Sequence, residues 1–188
     1  MKESNNLYSM DRNIIGSRVI LVRPHLDFID EFLAAVESSK SLHTPWVKPP
    51  STKNEFIAYL QNTVRPSRES FWVRSTLDSS LVGVIEVRSI LPSVDDSGTI
   101  SYFAFNPWSG CGLMREALTH FITFIFKSRK LRRLIADIEA ENTNSLGLVF
   151  RLGFQQDGDV TKLLTDGSFR NYQKWVLYSD DWLKSIVI

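Results

Sequence analysis

From Arg18 to Pro24 apolar and polar residues alternate, with Val19, Leu21 and Val22 apolar and Pro24 closing the run, and this period of two predicts a strand. At Asp27 the period changes. Phe28, Ile29, Phe32, Leu33 and Val36 recur at helical spacing, with Asp27 as the expected N-cap. The segment from Leu42 to Lys53 reads as a loop, since it carries Pro45, Trp46, Pro49 and Pro50, and helical spacing resumes from Lys53 to Val64 through Phe56, Ile57 and Leu60. Phe71 to Ser75, Leu81 to Ile90 and Thr99 to Asn106 are β-rich runs separated by Asp-Ser-Ser and Asp-Asp-Ser-Gly turn chemistry, which predicts an antiparallel meander. The longest helical pattern runs from Gly110 to Ser128, with Leu113, Met114, Ala117, Leu118, Phe121, Ile122 and Ile125 on one broad apolar face. Arg133 to Glu139 then reads as a strand, and Asn142 to Leu152 as a helix ended by Gly153. Phe154 to Leu164 and Phe169 to Ser179 form a closing hairpin turned by Thr165-Asp166-Gly167.

This order predicts an α/β fold with one mixed, twisted sheet of about seven strands and about four flanking helices. At 188 residues, 43% apolar and 23% charged, the chain suits a single domain, expected over 14–188 after a flexible polar leader, 1–13. Lysine plus arginine (22) nearly balances aspartate plus glutamate (21), so no strong field points to nucleic acid or an anionic membrane. The leader lacks the apolar core of a secretory signal, and no stretch is long enough to span a bilayer. Cys111 is the single cysteine, which excludes an intrachain disulfide and a cysteine-based zinc site. Nor do His25, His43 and His120 have metal-ligand spacing. Together these features predict a cytoplasmic protein, monomeric or homodimeric, without a metal.

The chemistry-bearing segment is Ser109-Gly110-Cys111-Gly112-Leu113-Met114, which joins a strand to the long helix. A helix N-terminus exposes backbone N–H groups to an anion, and glycines there remove the Cβ atoms that would hold a phosphate away. A glycine-rich turn before an amphipathic helix would share these features. Taken with the downstream ENTNSLGLVFRLGF and the closing TDGSFRNYQKWVL, however, SGCGLMREAL resembles the GNAT acyltransferases, and within them the RimJ/RimL type, from about Ile15 to Trp182. The early RVILVRP strand and the PWVKPP loop are similar to those of the family. Its Q/R-x-x-G-x-G/A phosphate loop falls on Ser109 to Met114, where the central Gly112 matches while Ser109 and Met114 depart. The family's N-x-x-S pattern before a Gly-Phe turn falls on Asn142, Ser145, Gly153 and Phe154.

The resemblance implies direct transfer of acetyl from acetyl-coenzyme A to a primary amine, either a protein N-terminus or a small molecule, between splayed central strands. It implies that Ser109, Gly110, Cys111, Gly112, Leu113 and Met114 cradle the pyrophosphate and that Asn142 meets the pantetheine amides. A main-chain N–H among Phe103, Ala104 and Phe105 would polarise the thioester carbonyl. Ser145 would serve the departing thiolate, although Asn142 and Ser145 are also favoured helix caps. The glutamate that RimL-like enzymes carry after the Gly-Phe turn is missing near Leu163 to Thr165. Glu86, within an apolar strand, is therefore the candidate base, partial burial raising its pKa; the alternative is a surface residue paired with Arg88. His43 and Trp46 are candidate acceptor contacts, and Trp108 is a further tryptophan near the cofactor loop. A pocket for a small amine would be acidic, with Glu37, Glu55 and Glu86 as its carboxylates. Cys111 reads as a neutral spacer rather than a nucleophile.

Overall fold

The structure, a computed structural model, describes residues 13–91, 96–163 and 167–186. The leader expected over 1–13 therefore lies outside the described residues except for Asn13, and of the closing turn only Gly167 is described. One eight-stranded sheet runs in the order β1-β2-β3-β4-β5-β6-β8-β7. Its strands are β1 (Ile14–Ile15), β2 (Val19–Val22), β3 (Glu69–Ser75), β4 (Leu81–Leu91), β5 (Ser97–Ala104), β6 (Arg133–Glu139), β7 (Gln155–Leu163) and β8 (Phe169–Tyr178). The helices are α1 (Ile29–Ser38), α2 (Lys40–His43), α3 (Lys53–Thr63), α4 (Leu113–Arg129), α5 (Thr143–Arg151) and α6 (Ser179–Ser185).

The described residues thus hold eight strands and six helices, against about seven and about four expected. The additions include β1 with two residues, α2 with four and α6 with seven, each too short for a period to be read. Asp27 is not the cap of α1. It lies inside a 3-10 turn, Leu26–Phe28, whose cap is His25: Nδ1 of that ring accepts the Asp27 N–H at 3.3 Å. Helix α3 carries a full capping box, with Thr52 accepting from the Glu55 N–H and Glu55 reaching back to the Thr52 N–H.

Two apolar clusters cover the two faces of the sheet. Helix α4 lays Leu118, Phe121, Ile122 and Ile125 against Leu21, Phe71, Ile85 and Val87, and Trp182 of α6 closes this larger core. On the opposite face Phe32 of α1 and Phe56 of α3 pack on Trp72 and Val84, with ring centroids of 5.0 Å for Phe32–Phe56 and 5.3 Å for Phe32–Trp72. Fully burying side chains of this size contributes about 1.5–3 kcal/mol each. Buried Glu69 takes Arg23 and Arg129 on its two oxygens, joining the end of β2 to the end of α4 through β3. Gly83 permits a close approach: a Cβ there would lie 2.5 Å from both Met114 Sδ and the Phe103 carbonyl.

The feature that positions the site is a parting of strands. Parallel β5 and β6 pair only at Ser97–Arg133, Gly98–Leu134 and Thr99–Ile135. Beyond Thr99, β5 continues to Ala104 alongside β4, while β6 continues to Glu139 alongside β8. The expected splay of the central strands is thus present, and a wedge opens between them.

Candidate active site

Two elements converge on this wedge, the N-terminus of α4 and that of α5. In the loop before α4, Gly110 and Gly112 have φ of +81° and +78°, a region that L side chains rarely adopt, so the two glycines set the backbone path. The first helical hydrogen bond runs from the Glu116 N–H to the Gly112 carbonyl at 3.2 Å, which leaves the N–H groups from Gly112 to Arg115 without helix partners. Unpartnered N–H groups at a helix N-terminus favour an anion. The Cys111 N–H is turned to the Trp108 carbonyl at 3.3 Å, and Cys111 is exposed away from the cleft. Leu113 is a core residue, so of the six loop positions expected at the pyrophosphate Ser109, Gly110, Gly112 and Met114 line the cleft, while Cys111 and Leu113 do not.

A cation that sequence reasoning missed stands beside the loop. The Arg18 N–H and Nε donate to the two oxygens of Glu116 at 2.7 and 2.8 Å, fixing β2 to α4. Its Nη2 then lies 3.7 Å from where a Gly112 Cβ would be. Nothing in the strand pattern of Arg18–Pro24 points to that loop. Arg115 and Arg151, on α4 and α5, also line the cleft.

The cleft has a volume of about 890 Å³, within the range of small-molecule sites. Phe103 and Ala104 line it and Phe105 does not. Phe105 is fully buried in the smaller core, and its N–H is donated to the Val82 carbonyl at 2.8 Å, so it is unavailable to a ligand. Alternation along an antiparallel ladder then turns the N–H and C=O groups of Ala104 and Tyr102 away from β4 toward the wedge. His43 confirms this direction, since its Nε2 meets the Ala104 carbonyl at 2.9 Å. A carbonyl only accepts, so Nε2 carries the proton; Nδ1 is buried without a partner, and the ring packs edge-on against Phe103 and Phe105. Burial lowers the His43 pKa, outweighing the opposing hydrogen bond to Ala104. His43 belongs to α2 rather than to a loop, and it fixes the end of β5. Trp46 and Trp108 both line the cleft.

Glu86 is half-buried and lines the same cleft, two serines being its cross-strand neighbours, Ser70 and Ser101. Its hydrogen-bond partner is Ser70 Oγ at 3.2 Å, and it makes no ion pair with Arg88. Three donors are aligned toward it. The Trp72 indole can only donate, so Tyr59 Oη accepts from it at 3.3 Å; Tyr59 then gives its own proton to Ser70 Oγ at 3.0 Å, and Ser70 gives its proton to Glu86. Burial, and next the Glu86 charge, raise the Tyr59 pKa, so Tyr59 remains a neutral donor. Of the other carboxylates expected, exposed Glu37 pairs with Lys40 and Glu55 is occupied in the α3 cap. Asp137 and Glu139 do line the cleft, but Lys162 holds Asp137 at 2.6 Å, and Arg170 and Tyr172 hold Glu139 at 2.9 and 3.2 Å.

At α5 the Asn142 side chain accepts the Ser145 N–H at 3.2 Å, so Asn142 is a helix cap and also lines the cleft. The Ser145 side chain lines the cleft, and its hydroxyl interacts with that of Tyr102. Tyr102, which sequence reasoning did not single out, donates its hydroxyl to the Ser145 carbonyl at 3.3 Å. Burial pushes its pKa up to about 12, with the Ser145 side-chain hydroxyl opposing, so it too stays a neutral donor.

A glycine-bearing helix end, parted strands and a serine-bearing second helix thus meet in one cleft, an arrangement of the acyltransferase kind. Residues 18–155 match the family described as the acetyltransferase (GNAT) domain, and the chain belongs to that family. It is 29% identical over 106 residues to the ribosomal protein uS5 alanine N-acetyltransferase of Escherichia coli, an alignment covering 56% of this chain and 55% of that protein. The chain thus spans about half the length of that curated relative. Among solved structures it is similar to the ribosomal-protein-S5-alanine acetyltransferase of Vibrio fischeri, with TM-score 0.78 and 19% identity over 92% of this chain and 99% of that one. It is also similar to RimL, the ribosomal L7/L12 alpha-N-protein acetyltransferase, in complex with coenzyme A, with TM-score 0.79 and 16% identity over 90% and 99%.

Proposed function

We propose that this protein is an acetyl-coenzyme A-dependent N-acetyltransferase, built as one domain from residue 14 onward, whose acceptor is a protein or peptide α-amine in the cytoplasm. The observation that carries the reading is the joining of two features in one cleft. Four free N–H donors at α4 lie at one end, and parted strands with unpaired Tyr102 and Ala104 N–H groups lie beside them. The residues fit the cofactor, because Gly110 and Gly112 leave the space over the loop clear: a Cβ at Gly110 would meet nothing within 4 Å. When bound, acetyl-coenzyme A supplies an activated thioester.

Gly112 to Arg115 would hold the pyrophosphate, with Arg18 and Arg115 adding positive charge. The Tyr102 and Ala104 N–H groups would bind pantetheine and the thioester carbonyl, where stabilising negative charge on oxygen lowers the barrier. The Ser145 hydroxyl would donate to the departing sulfur. Glu86 would orient the acceptor ammonium and take its proton, the donor chain through Ser70 and Tyr59 holding the carboxylate in place. His43 would act on the site only through the Ala104 peptide, and Trp46 would border the acceptor entrance.

Acetylation of a small amine draws on Asp137 and Glu139, yet Lys162 and Arg170 already neutralise both, which favours the peptide acceptor. A silent acyl-coenzyme A-binding module draws on the lack of a carboxylate near Leu163 to Thr165, where the resemblance implies a glutamate. A screen of peptides, polyamines, amino acids and aminoglycosides, read by free-thiol release beside a coenzyme A binding assay, separates the three. Thiol release with peptides supports the proposal; release with small amines alone, or binding without release with any amine, contradicts it.

A further inference from the structure

Beyond Glu86 the cleft adjoins a second groove of about 500 Å³, lined by Arg65, Ser67, Arg68, Arg88, Ser89 and Thr99. Arg88 and Thr99 line both cavities, so the two adjoin. Arg88 follows Glu86 by two residues on the same face of β4, which places it about 6–7 Å further along the strand. Their partners on β5 keep step, Ser101 opposite Glu86 and Thr99 opposite Arg88.

None of the three arginines makes an ion pair among the described residues, whereas Arg18, Arg23, Arg74, Arg129 and Arg170 are each paired with a carboxylate. Three guanidiniums with no ion pair among the described residues thus line one groove in a chain whose net charge is +1. The groove is built, not frayed. Ile90 donates its N–H to the Ser67 carbonyl at 3.1 Å and Arg68 donates to the Arg65 carbonyl at 2.9 Å, so the 64–68 turn is tied to β4. Ser89, at φ +55°, interrupts the β4–β5 register after Arg88 and opens the groove floor.

Cleft and groove together have a polarity, a carboxylate nearest the acyl-transfer end and guanidiniums beyond it. We infer that the acceptor is a peptide whose N-terminal amine lies at Glu86 and whose next few residues include an acidic side chain held by Arg88, with Arg68 and Arg65 extending the anionic subsite. This rests on the N-acetyltransferase reading above and names the acceptor class. Guanidinium matches carboxylate in a two-point geometry, and such charge-assisted bonds are the stronger kind. The groove volume suits one or two side chains rather than a nucleic-acid strand, even though arginines alone would also attract phosphate.

The test compares kcat/KM for peptides that differ only at residues two to four, bearing Asp or Glu, Asn or Gln, or Lys, with wild-type enzyme and the Arg88→Gln and Arg65→Gln/Arg68→Gln variants. Wild-type enzyme should prefer acidic over neutral peptides by about tenfold to a hundredfold, mostly through KM. That ratio should fall toward one in Arg88→Gln and fall partly in the double variant, while Lys184→Gln on α6 keeps it. Peptides acetylated without regard to acidity, or a preference that survives in Arg88→Gln, overturn this inference and leave the N-acetyltransferase reading intact. If no peptide is acetylated while small amines are, the peptide acceptor and this subsite fall together. An arginine-dependent affinity for a short RNA with no acidic-peptide preference likewise overturns it.

Discussion

Substituting Gly112 separates a ligand effect from a folding effect. Its φ of +78° means that any L side chain is strained by about 1–2 kcal/mol there, which a domain with an ordinary stability of about 5–15 kcal/mol tolerates. The added Cβ meets no other protein atom closer than Arg18 Nη2 at 3.7 Å, so the space it fills is that over the loop donors. Each charge-assisted hydrogen bond lost to a displaced pyrophosphate weakens binding by about 1.5–3 kcal/mol, and losing two gives a hundredfold or more. Coenzyme A, expected to bind wild-type protein at about the micromolar level, should therefore bind Gly112→Ala at least a hundredfold more weakly by calorimetry and Gly112→Val not measurably. Gly158→Ala is the control. Gly158 has φ +119° and open space around it on β7, away from the cleft, so its variant carries backbone strain without the obstruction. Unchanged coenzyme A affinity in a folded Gly112→Val protein would refute the phosphate-loop assignment.

Ser145→Ala should slow turnover at saturating substrate about tenfold to a thousandfold while changing coenzyme A affinity little, as single-turnover and binding measurements would show; an unchanged kcat would reduce Ser145 to a residue of the α5 cap. Glu86→Gln should remove the rising limb of kcat/KM against pH for an acceptor of given amine pKa, and a limb that merely follows the acceptor's own ionisation in both proteins would mean capture of the neutral amine. For His43 the folded-state pKa lies below 6.5, so the unfolded chain binds the proton more readily. Its contribution to stability is then full above about pH 6.5 and is lost as pH falls through the folded-state pKa. Thermal melts of His43→Gln across this window should show a smaller loss than wild type; equal losses would assign the limb to other groups.

The long elements were legible because their side chains obey a period: α4 through its broad apolar face, β3 to β5 through β-rich runs bounded by turn residues. The loop glycines were legible because only glycine suits φ near +80°. Phe105 was misassigned because its location in the sequence, at the end of a strand beside a proline, does not tell which side its N–H faces; the ladder decides, and it faces Val82. His43 was legible as a candidate residue of the site but not as the ring that holds Ala104, since that contact joins residues 61 apart. Arg18 reaches its partner across 98 residues, and Tyr59 and Tyr102 meet theirs across 13 and 43, contacts for which a single sequence carries no signal. Glu86 was singled out for its polarity within an apolar strand, yet the donors that hold it, Ser70 and Tyr59, come from β3 and α3.

Transfer of an acetyl group from a thioester to an α-amine in this cleft is open to direct observation. Its most direct test is a single-turnover reaction in which protein in excess over acetyl-labelled coenzyme A meets a peptide with a free N-terminus, with label and thiol followed together. Label should appear on the peptide α-amine, with one thiol released per acetyl transferred and no label retained on the protein. Label trapped on Cys111 or any other side chain, or thiol released with no acetylated peptide, would contradict it.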